Sequence, residues 1–568
     1  MQAGKRTRFS PSSCSPSVSR EAEPERDLGA KGPTSSSSGE RKHEREMEQA
    51  DDRDDDLRME GCDETNCGEE EDEEAQEASA DADDPDDSQV EEEDVDAERL
   101  SFLNNFVAEV IEDLRSPDGV EDGLGIVRDP DPSASEQFFQ WLIHPLSVGR
   151  FHEQFWEKRP FLIRRPRNRS LYEGWFEKED IETLFERETL KYGMNVDVTK
   201  YKDGARANFS TEGAAKANQV WKKFAKGWSV RILHPQRWSN SLFLLLSAFE
   251  RYWHCVAGCN AYLTPAKSQG FSPHYDDIEA FVLQTEGKKR WRCYRPRSLD
   301  DVLPRFSSPD FSQDDIGDPI LDEILEPGDL LYMPRGTIHQ AEATSDTHSL
   351  HITVSVGQRN TWSDYLELAL PRALELAWED HLLLRESLPR DFATYMGVAH
   401  SDKDDPRRAA FLERVILCMD RLVKSGPWDS AVDQMAVKFL QARLPLPHVP
   451  DSEATKEGGS LIKLNMMSKV RLVAPDVARF VVEEDSAVLY HMLNNSRALH
   501  NELSDSCEAG SVPGSSLEFP LDFAPALEEL ITAYPTPVCV SNLSIDSKQA
   551  ALDLVTQLYK SGLLVVMK

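Results

Sequence analysis

A His-x-Asp pair and a distant histidine constrain this chain more than any other feature of its sequence. His274 and Asp276 are two residues apart, and His339 ends the segment 327–339, which begins Pro-Gly-Asp. Side chains two apart on a strand point to the same face, so His274 and Asp276 can reach one ion. Two imidazoles and one carboxylate are typical of a non-haem Fe(II) centre, although Mn(II) or Ni(II) would also fit. We therefore predict a catalytic metal site formed by His274, Asp276 and His339.

The surrounding segment, residues 190–360, has the pattern of an all-β domain. Short runs rich in apolar and β-branched residues alternate with turns that contain Gly or Pro. The predicted strands are 195–199, 229–233, 260–264, 280–284, 290–294, 330–333 and 350–356. Many short strands of this kind predict a β-sandwich or barrel. The spacing from Gly328 to His339 also matches the second metal-binding motif of cupin barrels.

An Fe(II) oxygenase with this ligand set needs a dicarboxylate reductant, whose distal carboxylate requires a cation or hydroxyl groups deep in the barrel. Lys289, on the predicted strand that follows Gly287, is the candidate cation. Lys288 is the alternative, although a solvated charge is the simpler interpretation of it. Thr353, on the strand that follows the third metal ligand, is the candidate hydroxyl.

Several other metal-ligating residue types lie near this site, and we interpret them as structural. Asp277 is adjacent to Asp276 but faces the other way on a strand, which favours solvation or a supporting hydrogen bond. His348 and His351 are interpreted as core or supporting histidines. Cys255 and Cys259 could form half of a zinc site, but no second Cys/His pair at zinc-finger spacing accompanies them. Reduced, buried thiols are favoured.

The two ends of the chain have different compositions. The formal net charge of −38 is concentrated in residues 51–98, and residues 1–98 contain almost no aromatic side chains. Such a segment cannot bury enough apolar surface to offset chain entropy, so we predict that residues 1–98 are disordered. The acidic bulk argues against a protein that coats nucleic acid by itself. No apolar run is long enough to span a bilayer, and we expect a soluble intracellular protein.

Helical periodicity appears on both sides of the β-rich segment. The predicted helices are 100–114, 136–143, 362–388, 408–423, 432–444, 523–533 and 547–562. The last part of the chain combines two of them with short strands, which suits a winged-helix module. It has no obvious basic recognition helix, so a DNA-binding role is not supported and direct nucleic-acid binding stays open. The predicted domains are 1–98, 99–361, 362–445 and 446–568.

Longer motifs link these parts to a known family. They are Asn260-Ala-Tyr262, Ser268-Gln-Gly-Phe-Ser-Pro-His-Tyr-Asp276, Lys289-x-Trp291, Pro334-Arg-Gly-Thr-Ile-His339, Asp391-Phe-x-x-Tyr-Met-Gly and Asp405-Pro-Arg-Arg. Together they resemble the JmjC ribosomal oxygenases, and most closely the nucleolar, bifunctional histidyl hydroxylase and histone lysine demethylase branch. The resemblance covers roughly residues 136–568.

This resemblance implies a mixed α/β chain with a mainly β catalytic core. That core would be a JmjC (cupin) double-stranded β-helix, followed by a helical dimerisation region and a C-terminal winged-helix domain. The implied cofactors are Fe(II) at His274, Asp276 and His339, and 2-oxoglutarate and dioxygen as co-substrates. Lys289 and Thr353 would bind 2-oxoglutarate. Asn260, Tyr262 and Ser355 match the family's substrate-binding positions.

The implied activity is hydroxylation of a histidine of ribosomal protein L-eight, within ribosome biogenesis. The first alternative is demethylation of lysines in the histone H-three tail, as a chromatin and transcription regulator. The second is a non-catalytic scaffold for chromatin or ribosome assembly. A ribosomal protein and, in the alternative, histone tails are the expected partners, together with a second copy of the chain. The expected location is the nucleus, in both the nucleolus and the nucleoplasm, with no membrane association.

Overall fold

The computed structural model describes residues 101–447 and 456–567, apart from 116–122, 128–130, 132, 211, 458–459 and 501–514. The predicted disordered segment 1–98 lies outside the described residues. The catalytic part is built from these strands: β1 Glu109–Glu112, β2 Phe161–Arg164, β3 Val196–Lys202, β4 Ala205–Asn208, β5 Ser229–Leu233, β6 Gly258–Thr264, β7 Glu279–Glu286, β8 Lys289–Tyr294, β9 Leu321–Leu325, β10 Leu330–Met333, β11 Ile338–Ala343 and β12 Ser349–Val356.

The strands form a large sheet and a small sheet. The large sheet has the order β1-β2-β10-β7-β12-β6-β5-β3-β4, and the small sheet has the order β11-β8-β9. Side chains alternate across β7: Phe281 and Leu283 join the core beneath the helices, whereas Ala280 and Val282 join the core shared with Trp291 of β8. This alternation is the period-two pattern of a sheet with two covered faces. The predicted β barrel is confirmed.

Helices cover the outer face of the large sheet. Those before and within the catalytic part are α1 Gly123–Val127, α2 Ala134–Leu142, α3 Val148–Gln154, α4 Lys178–Arg187, α5 Ala217–Phe224 and α6 Asn240–Trp253. The helix predicted over 100–114 is wrong in its second half, because 101–105 are helical but Glu109–Glu112 is a strand parallel to β2. Pairing with the sheet edge overrides a local helical pattern there.

The part of the chain after β12 begins with helices α7 Trp362–Asp380, α8 Pro406–Ser425 and α9 Trp428–Ala442. The remaining elements are β13 Lys456–Glu457, β14 Ser460–Leu461, β15 Lys469–Leu472, β16 Ala478–Glu483, β17 Ser486–His491, β18 Ser516–Pro520, α10 Ala524–Thr532, β19 Val538–Cys539, α11 Lys548–Lys560 and β20 Leu564–Met567. The elements from β15 onward share a separate hydrophobic core, which Leu440 of α9 joins. In the part of the chain that the structure describes, no helix combines the length and apolar character needed to cross a membrane.

A buried polar cluster joins the C-terminal part to helix α6. The Nε2 atom of His500 lies 2.8 Å from Oε1 of Glu250, and neither side chain is exposed. The amide of Gln236 lies 2.8 Å from Nδ1 of His500, and the backbone N–H of Leu444 donates to Oε2 of Glu250 at 2.8 Å. A buried carboxylate is tolerated only where its oxygens are satisfied in this way. The cluster therefore holds the C-terminal part against helix α6.

We predict that His500→Ala lowers the free energy of unfolding by about 3 kcal/mol, because it leaves the Glu250 carboxylate buried without its partner. Urea titration followed by tryptophan fluorescence would measure the loss. The control is His381→Ala, whose ring is partly exposed and lies 3.1 Å from Ser425 Oγ. A similar loss of stability in both variants would contradict the role given to the cluster.

Candidate metal centre and co-substrate pocket

The predicted ligands His274, Asp276 and His339 converge. One ligand atom from each side chain lies within 4.8 Å of the others. The Nε2 atom of His274 is 3.7 Å from Oδ1 of Asp276, and Nε2 of His339 is 3.8 Å from Oδ2 of the same carboxylate. Among the described residues, this is the cluster of His, Cys, Asp and Glu side chains with metal-ligand spacing. The sequence prediction of a three-residue site is thus matched by the geometry.

The hydrogen bonds of the two imidazoles show that the cluster fits a metal. Nδ1 of His274 lies 2.8 Å from the carbonyl oxygen of Ser272, and Nδ1 of His339 lies 3.0 Å from that of Thr337. A carbonyl oxygen only accepts hydrogen bonds, so each Nδ1 carries the proton and each Nε2 presents a lone pair. Burial lowers the pKa of His339 to about 4, which keeps that ring neutral. Neutral imidazoles oriented by backbone carbonyls are the usual metal ligands.

The backbone brings the ligands together by a single antiparallel bridge. The N–H of His339 donates to the carbonyl of His274 at 2.8 Å, and the N–H of His274 donates back at 3.3 Å. The prediction that His274 and Asp276 lie on one strand is wrong, because both precede β7 in a loop and only this bridge extends the loop. The loop is held by Gly336, whose N–H donates to the carbonyl of Asp276. Gly336 has φ +88°, and a Cβ there would lie 2.2 Å from a backbone oxygen.

A cavity of about 250 Å³ opens beside the metal ligands, and Lys289 lies in its wall. The ammonium group of Lys289 donates to Oγ1 of Thr264 at 3.0 Å and lies 3.4 Å from Nδ1 of His351. Burial lowers the pKa of Lys289 to about 7. No carboxylate is paired with this ammonium among the described residues, so it is available to an anionic ligand. Thr264 was not predicted, although its place two residues after Tyr262 puts both on one face of β6.

His351 occupies a more central position than predicted. Its ring stacks on that of Tyr262 at 4.8 Å between centroids and 2° between planes, and the edge of Trp291 contacts it at 5.2 Å. Burial, with the nearby Lys289, lowers the pKa of His351 well below its ordinary value. A neutral ring whose Nδ1 accepts from Lys289 carries its proton on Nε2. His351 thus links the cation of the cavity to the predicted substrate-binding tyrosine.

The predicted substrate-binding residues lie on one face of paired strands. Tyr262 of β6 is opposite His351 of β12, Asn260 is opposite Thr353, and Ser355 is opposite Gly258. Tyr262 and Thr353 line the cavity. A Cβ at position 258 would lie 2.4 Å from Oγ of Ser355, so glycine makes room for that hydroxyl. The structure thus brings together all the residues predicted to surround substrate and co-substrate, while their individual roles stay predictions.

Arg231 and Asp197 are site residues that the sequence did not indicate. The guanidinium of Arg231 donates to Asp197 at 2.9 Å and reaches the phenol oxygen of Tyr262, as does Asn260. Burial raises the pKa of Tyr262, with Arg231 opposing that shift, so the phenol stays protonated. The two residues are on β5 and β3, and only the pairing of those strands brings them to β6. A local motif could not have shown this.

The residues interpreted as structural are outside the cluster. Asp277 accepts from Oγ of Ser307 at 2.7 Å and does not face the metal ligands. Lys288 is largely exposed and forms an ion pair with Glu326, and His348 contacts Glu286. In contrast, Lys289 is buried, which favours it over Lys288 as the cation of the cavity. Of the cysteine pair, Cys255 and Cys259 are both buried free thiols.

Comparison with known proteins identifies the class of this fold and site. The family model of the JmjC domain matches residues 231–365, and the model described as the ribosomal oxygenase 1 C-terminal winged helix domain matches residues 448–568. The chain is therefore a JmjC oxygenase with a C-terminal winged-helix domain, as the sequence motifs predicted.

Curated relatives give the particular family. "Ribosomal oxygenase 1" of Danio rerio is 40% identical over 446 residues, which are 76% of this chain and 79% of that protein. The human protein of the same name is 41% identical over 76% of this chain and 67% of its own length. "Bifunctional lysine-specific demethylase and histidyl-hydroxylase NO66" of Dictyostelium discoideum is 41% identical over 75% of this chain and 82% of that protein. The chain belongs to the ribosomal oxygenase 1 family.

Solved structures that are similar to the chain include the ribosomal oxygenase YcfD from Escherichia coli. A structure of YcfD in complex with cobalt and 2-oxoglutarate is 17% identical in sequence, with a TM-score of 0.37. The match covers 75% of this chain and 99% of the YcfD chain. Another, described as the X-ray structure of Escherichia coli ycfD, is 17% identical with a TM-score of 0.40.

We predict that Lys289→Ala weakens 2-oxoglutarate binding by about 10- to 100-fold, because a hydrogen bond to a charged group contributes about 1.5–3 kcal/mol. Affinity for the divalent metal should not change. Since burial lowers the pKa of Lys289 to about 7, the free enzyme binds one proton together with the dianion above that pH. Affinity for 2-oxoglutarate should therefore decrease as pH rises through about 7.

Isothermal titration in buffers of different ionisation enthalpy measures both the affinity and the proton uptake. Lys288→Ala is the matched control, because its ammonium is exposed and paired with Glu326. Equal affinities of wild type and Lys289→Ala for 2-oxoglutarate would contradict the role given to Lys289.

Proposed function

We propose that this protein is an Fe(II)- and 2-oxoglutarate-dependent oxygenase that hydroxylates a histidine side chain of a ribosomal protein. Fe(II) would be held by His274, Asp276 and His339, and when bound it supplies the activation of dioxygen for attack on an unactivated C–H bond. 2-Oxoglutarate supplies the reducing electrons. Lys289 and Thr264, with Thr353, would bind the distal carboxylate of the co-substrate. The observation that carries the proposal is the hydrogen-bonding character of Asn260 and Tyr262.

Tyr262 lines the cavity, and Asn260 lies two residues away on the same face of β6, so the pair combines one donor with one acceptor beside the cavity. The Oδ1 atom of Asn260 is buried without a hydrogen-bond partner among the described residues. The phenol oxygen of Tyr262 is approached by the guanidinium of Arg231 and by the side chain of Asn260, which leaves its O–H to donate elsewhere. A neutral imidazole has one N–H donor and one nitrogen acceptor. A histidine side chain therefore complements both groups, whereas an unmatched buried acceptor would cost about 1–3 kcal/mol.

A methylated lysine is less well matched by this pocket. Quaternary and methylated ammonium groups are recognised by cages of open aromatic faces. Here the face of Tyr262 is covered by His351, and the ring of Phe271 is approached by Arg206 at 4.5 Å and by Arg231 at 5.4 Å. Asp310, in the cavity wall, is already engaged by Arg206 at 3.9 Å, and Asp197 by Arg231, so neither carboxylate is open to a cationic ligand. The names of the relatives keep histone demethylation as the second candidate.

A non-catalytic scaffold is the third candidate function. A scaffold has no use for two imidazoles with unprotonated Nε2 atoms directed at one carboxylate, nor for a buried, unneutralised ammonium beside them. Both features cost free energy of folding unless a ligand uses them. The design of the site therefore supports the enzymatic function over the scaffold.

We predict that the purified protein with Fe(II), 2-oxoglutarate and dioxygen adds one oxygen atom to a histidine peptide from ribosomal protein L-eight. Succinate should form in step with peptide oxidation, and a methylated histone H-three peptide should release little formaldehyde. His274→Ala should abolish turnover, because it removes a metal ligand. Tyr262→Phe should raise the KM for the peptide more than that for 2-oxoglutarate.

Mass spectrometry of the peptides and a succinate assay provide the readout. An unmodified histidine peptide together with a demethylated histone peptide would refute the histidyl assignment and favour the second candidate. Absence of succinate under all conditions would favour the scaffold. The proposal also entails nuclear and nucleolar localisation, where ribosomal proteins are assembled, and imaging of a fluorescent fusion beside a nucleolar marker would test it.

We also propose that helices α7 and α8 form a homodimer interface. Leu412, Ile416, Met419 and Val423 recur at helical spacing on α8 and are 46–67% exposed. Trp378 of α7 is 55% exposed. A stripe of large apolar side chains on one helix face normally packs against another surface. A second copy of the chain presents the same stripe, as an isologous interface requires.

Ile416→Asp combined with Met419→Asp should convert a dimer to a monomer, because each carboxylate would be buried without a partner in the interface. Sedimentation velocity at micromolar concentration measures the change. Met467→Asp, at an apolar position that is 76% exposed outside these helices, is the control. A wild-type protein that sediments as a monomer would contradict the proposed interface.

A further inference from the structure

The segment 189–231 is basic in an otherwise acidic chain. It contains nine Lys or Arg residues and three Asp or Glu residues, whereas the whole chain carries a formal net charge of −38. Arg206 and Arg231 from this group line the catalytic cavity. The other seven cations have no role in the site described above.

Four of these cations belong to one surface around helix α5. Lys216 precedes its first residue, Lys222 and Lys223 lie in its last turn, and Lys226 follows it. Lys216 and Lys226 stand on either side of this eight-residue helix, so the four lysines, here called the basic patch, lie within about 15 Å along its axis. Lys216, Lys222 and Lys226 are exposed.

The basic patch is not neutralised by nearby carboxylates. Within the described residues, Lys216, Lys222, Lys223 and Lys226 form no ion pair, while two of the three acids of the same segment engage other cations. Asp197 is paired with Arg231, and Asp203 lies 3.5 Å from Lys202. Unpaired ammonium groups in a cluster repel one another and create a positive potential, which attracts an anionic partner.

The basic patch is connected to the catalytic cavity through the β3–β4 hairpin. The Nζ atom of Lys200 on β3 donates to the carbonyl of Lys226 at 2.8 Å. Arg206 on β4 lines the cavity and lies 4.5 Å from the ring of Phe271. Since β3 and β4 are paired, a partner on the basic patch would lie beside the cavity that receives the substrate.

Partly exposed aromatic rings alternate with the lysines. The ammonium of Lys223 lies over the rings of Phe209 at 4.2 Å and Trp228 at 4.4 Å. Trp221 is also partly exposed, and Lys178 lies 5.8 Å from its ring. Lys223 therefore occupies a face of both Phe209 and Trp228, and the partly exposed Trp221 is the ring on which a base could stack. Positive charge combined with a ring of this kind is the arrangement of single-strand nucleic-acid binding surfaces.

We propose that the basic patch binds single-stranded RNA next to the catalytic cavity. The choice of RNA rests on the proposed function, since ribosomal proteins are bound to RNA when they assemble. A basic protein substrate would be repelled by these lysines, so the basic patch is not a second contact for the substrate chain itself. RNA that carries a bound ribosomal protein would instead hold the substrate near the cavity by its phosphates.

The test compares two charge-matched triple variants of the full chain. One is Lys216→Glu, Lys222→Glu and Lys226→Glu in the basic patch. The control is Lys438→Glu, Lys548→Glu and Lys560→Glu, which are exposed positions elsewhere in the chain. Fluorescence anisotropy with a labelled 20-nucleotide mixed-sequence RNA is measured at several salt concentrations, so the same net charge is compared at two locations.

We expect the basic-patch variant to bind RNA at least tenfold more weakly at 0.1 M salt. The slope of log K against log salt should fall by about 2, because each single-strand phosphate contact contributes about 0.7. The control variant should stay within about twofold of wild type. Equal weakening in both variants, or no RNA binding by wild type at 50 mM salt, would overturn the proposal.

Two further measurements distinguish RNA binding from binding of an acidic protein and from the proposed catalytic function. Displacement of the RNA by a poly-glutamate of equal charge at the same concentration would show a general acidic-protein site, and would also overturn the proposal. Turnover of an isolated histidine peptide should be unchanged in the basic-patch variant. If that turnover is absent in wild type as well, the proposed function fails while the RNA result stands by itself.

Discussion

The antiparallel bridge between His274 and His339 is the contact on which the site depends. It consists of two backbone hydrogen bonds between a loop and the first residues of β11. The same two segments supply the carbonyls of Ser272 and Thr337 that fix the imidazole tautomers. Because backbone groups do this work, the metal ligands are oriented before any ion binds. The barrel is needed chiefly to hold these two segments in register.

Most local elements and the cluster of His274, Asp276 and His339 could be predicted from the sequence. Contacts between residues on strands that are distant in sequence could not. The strand predicted over 229–233 agrees with β5. In a strand with a period-two pattern, the alternation itself shows which side chains point to each face of the sheet. In contrast, Glu109–Glu112 has helical spacing but pairs with β2, and this could be known only from the neighbouring edge. Asp197 and Arg231 reach Tyr262 through the strand order, which no local motif encodes. His274 and Asp276 lie in a loop and not on the predicted strand. The metal site could still be predicted, because the separation between the two motifs is that of cupin barrels.

Burial explains why neighbouring residues of the same type differ in function. Lys288 and Lys289 are adjacent, but Lys288 lies in the turn before β8 and is largely exposed, whereas Lys289 begins β8 and is buried. The buried ammonium loses its solvation, which lowers its pKa to about 7. The hydroxyl of Thr264 and the Nδ1 atom of His351 compensate for only part of that loss. A deep cation that lacks a carboxylate partner is thus a binding site whose ligand must be an anion.

The charges of the site select a neutral substrate group. A divalent ion with Asp276 and a protonated Lys289 amounts to two positive charges, which the dianion of 2-oxoglutarate cancels. The guanidinium of Arg231 is already matched by Asp197. A neutral imidazole leaves this balance unchanged, whereas a methyl-lysine would add an uncompensated charge in a cavity of about 250 Å³. In a site of low polarity, a charge without a partner is more costly than a lost hydrogen bond. The electrostatics therefore favour histidine independently of the donor and acceptor pattern of Asn260 and Tyr262.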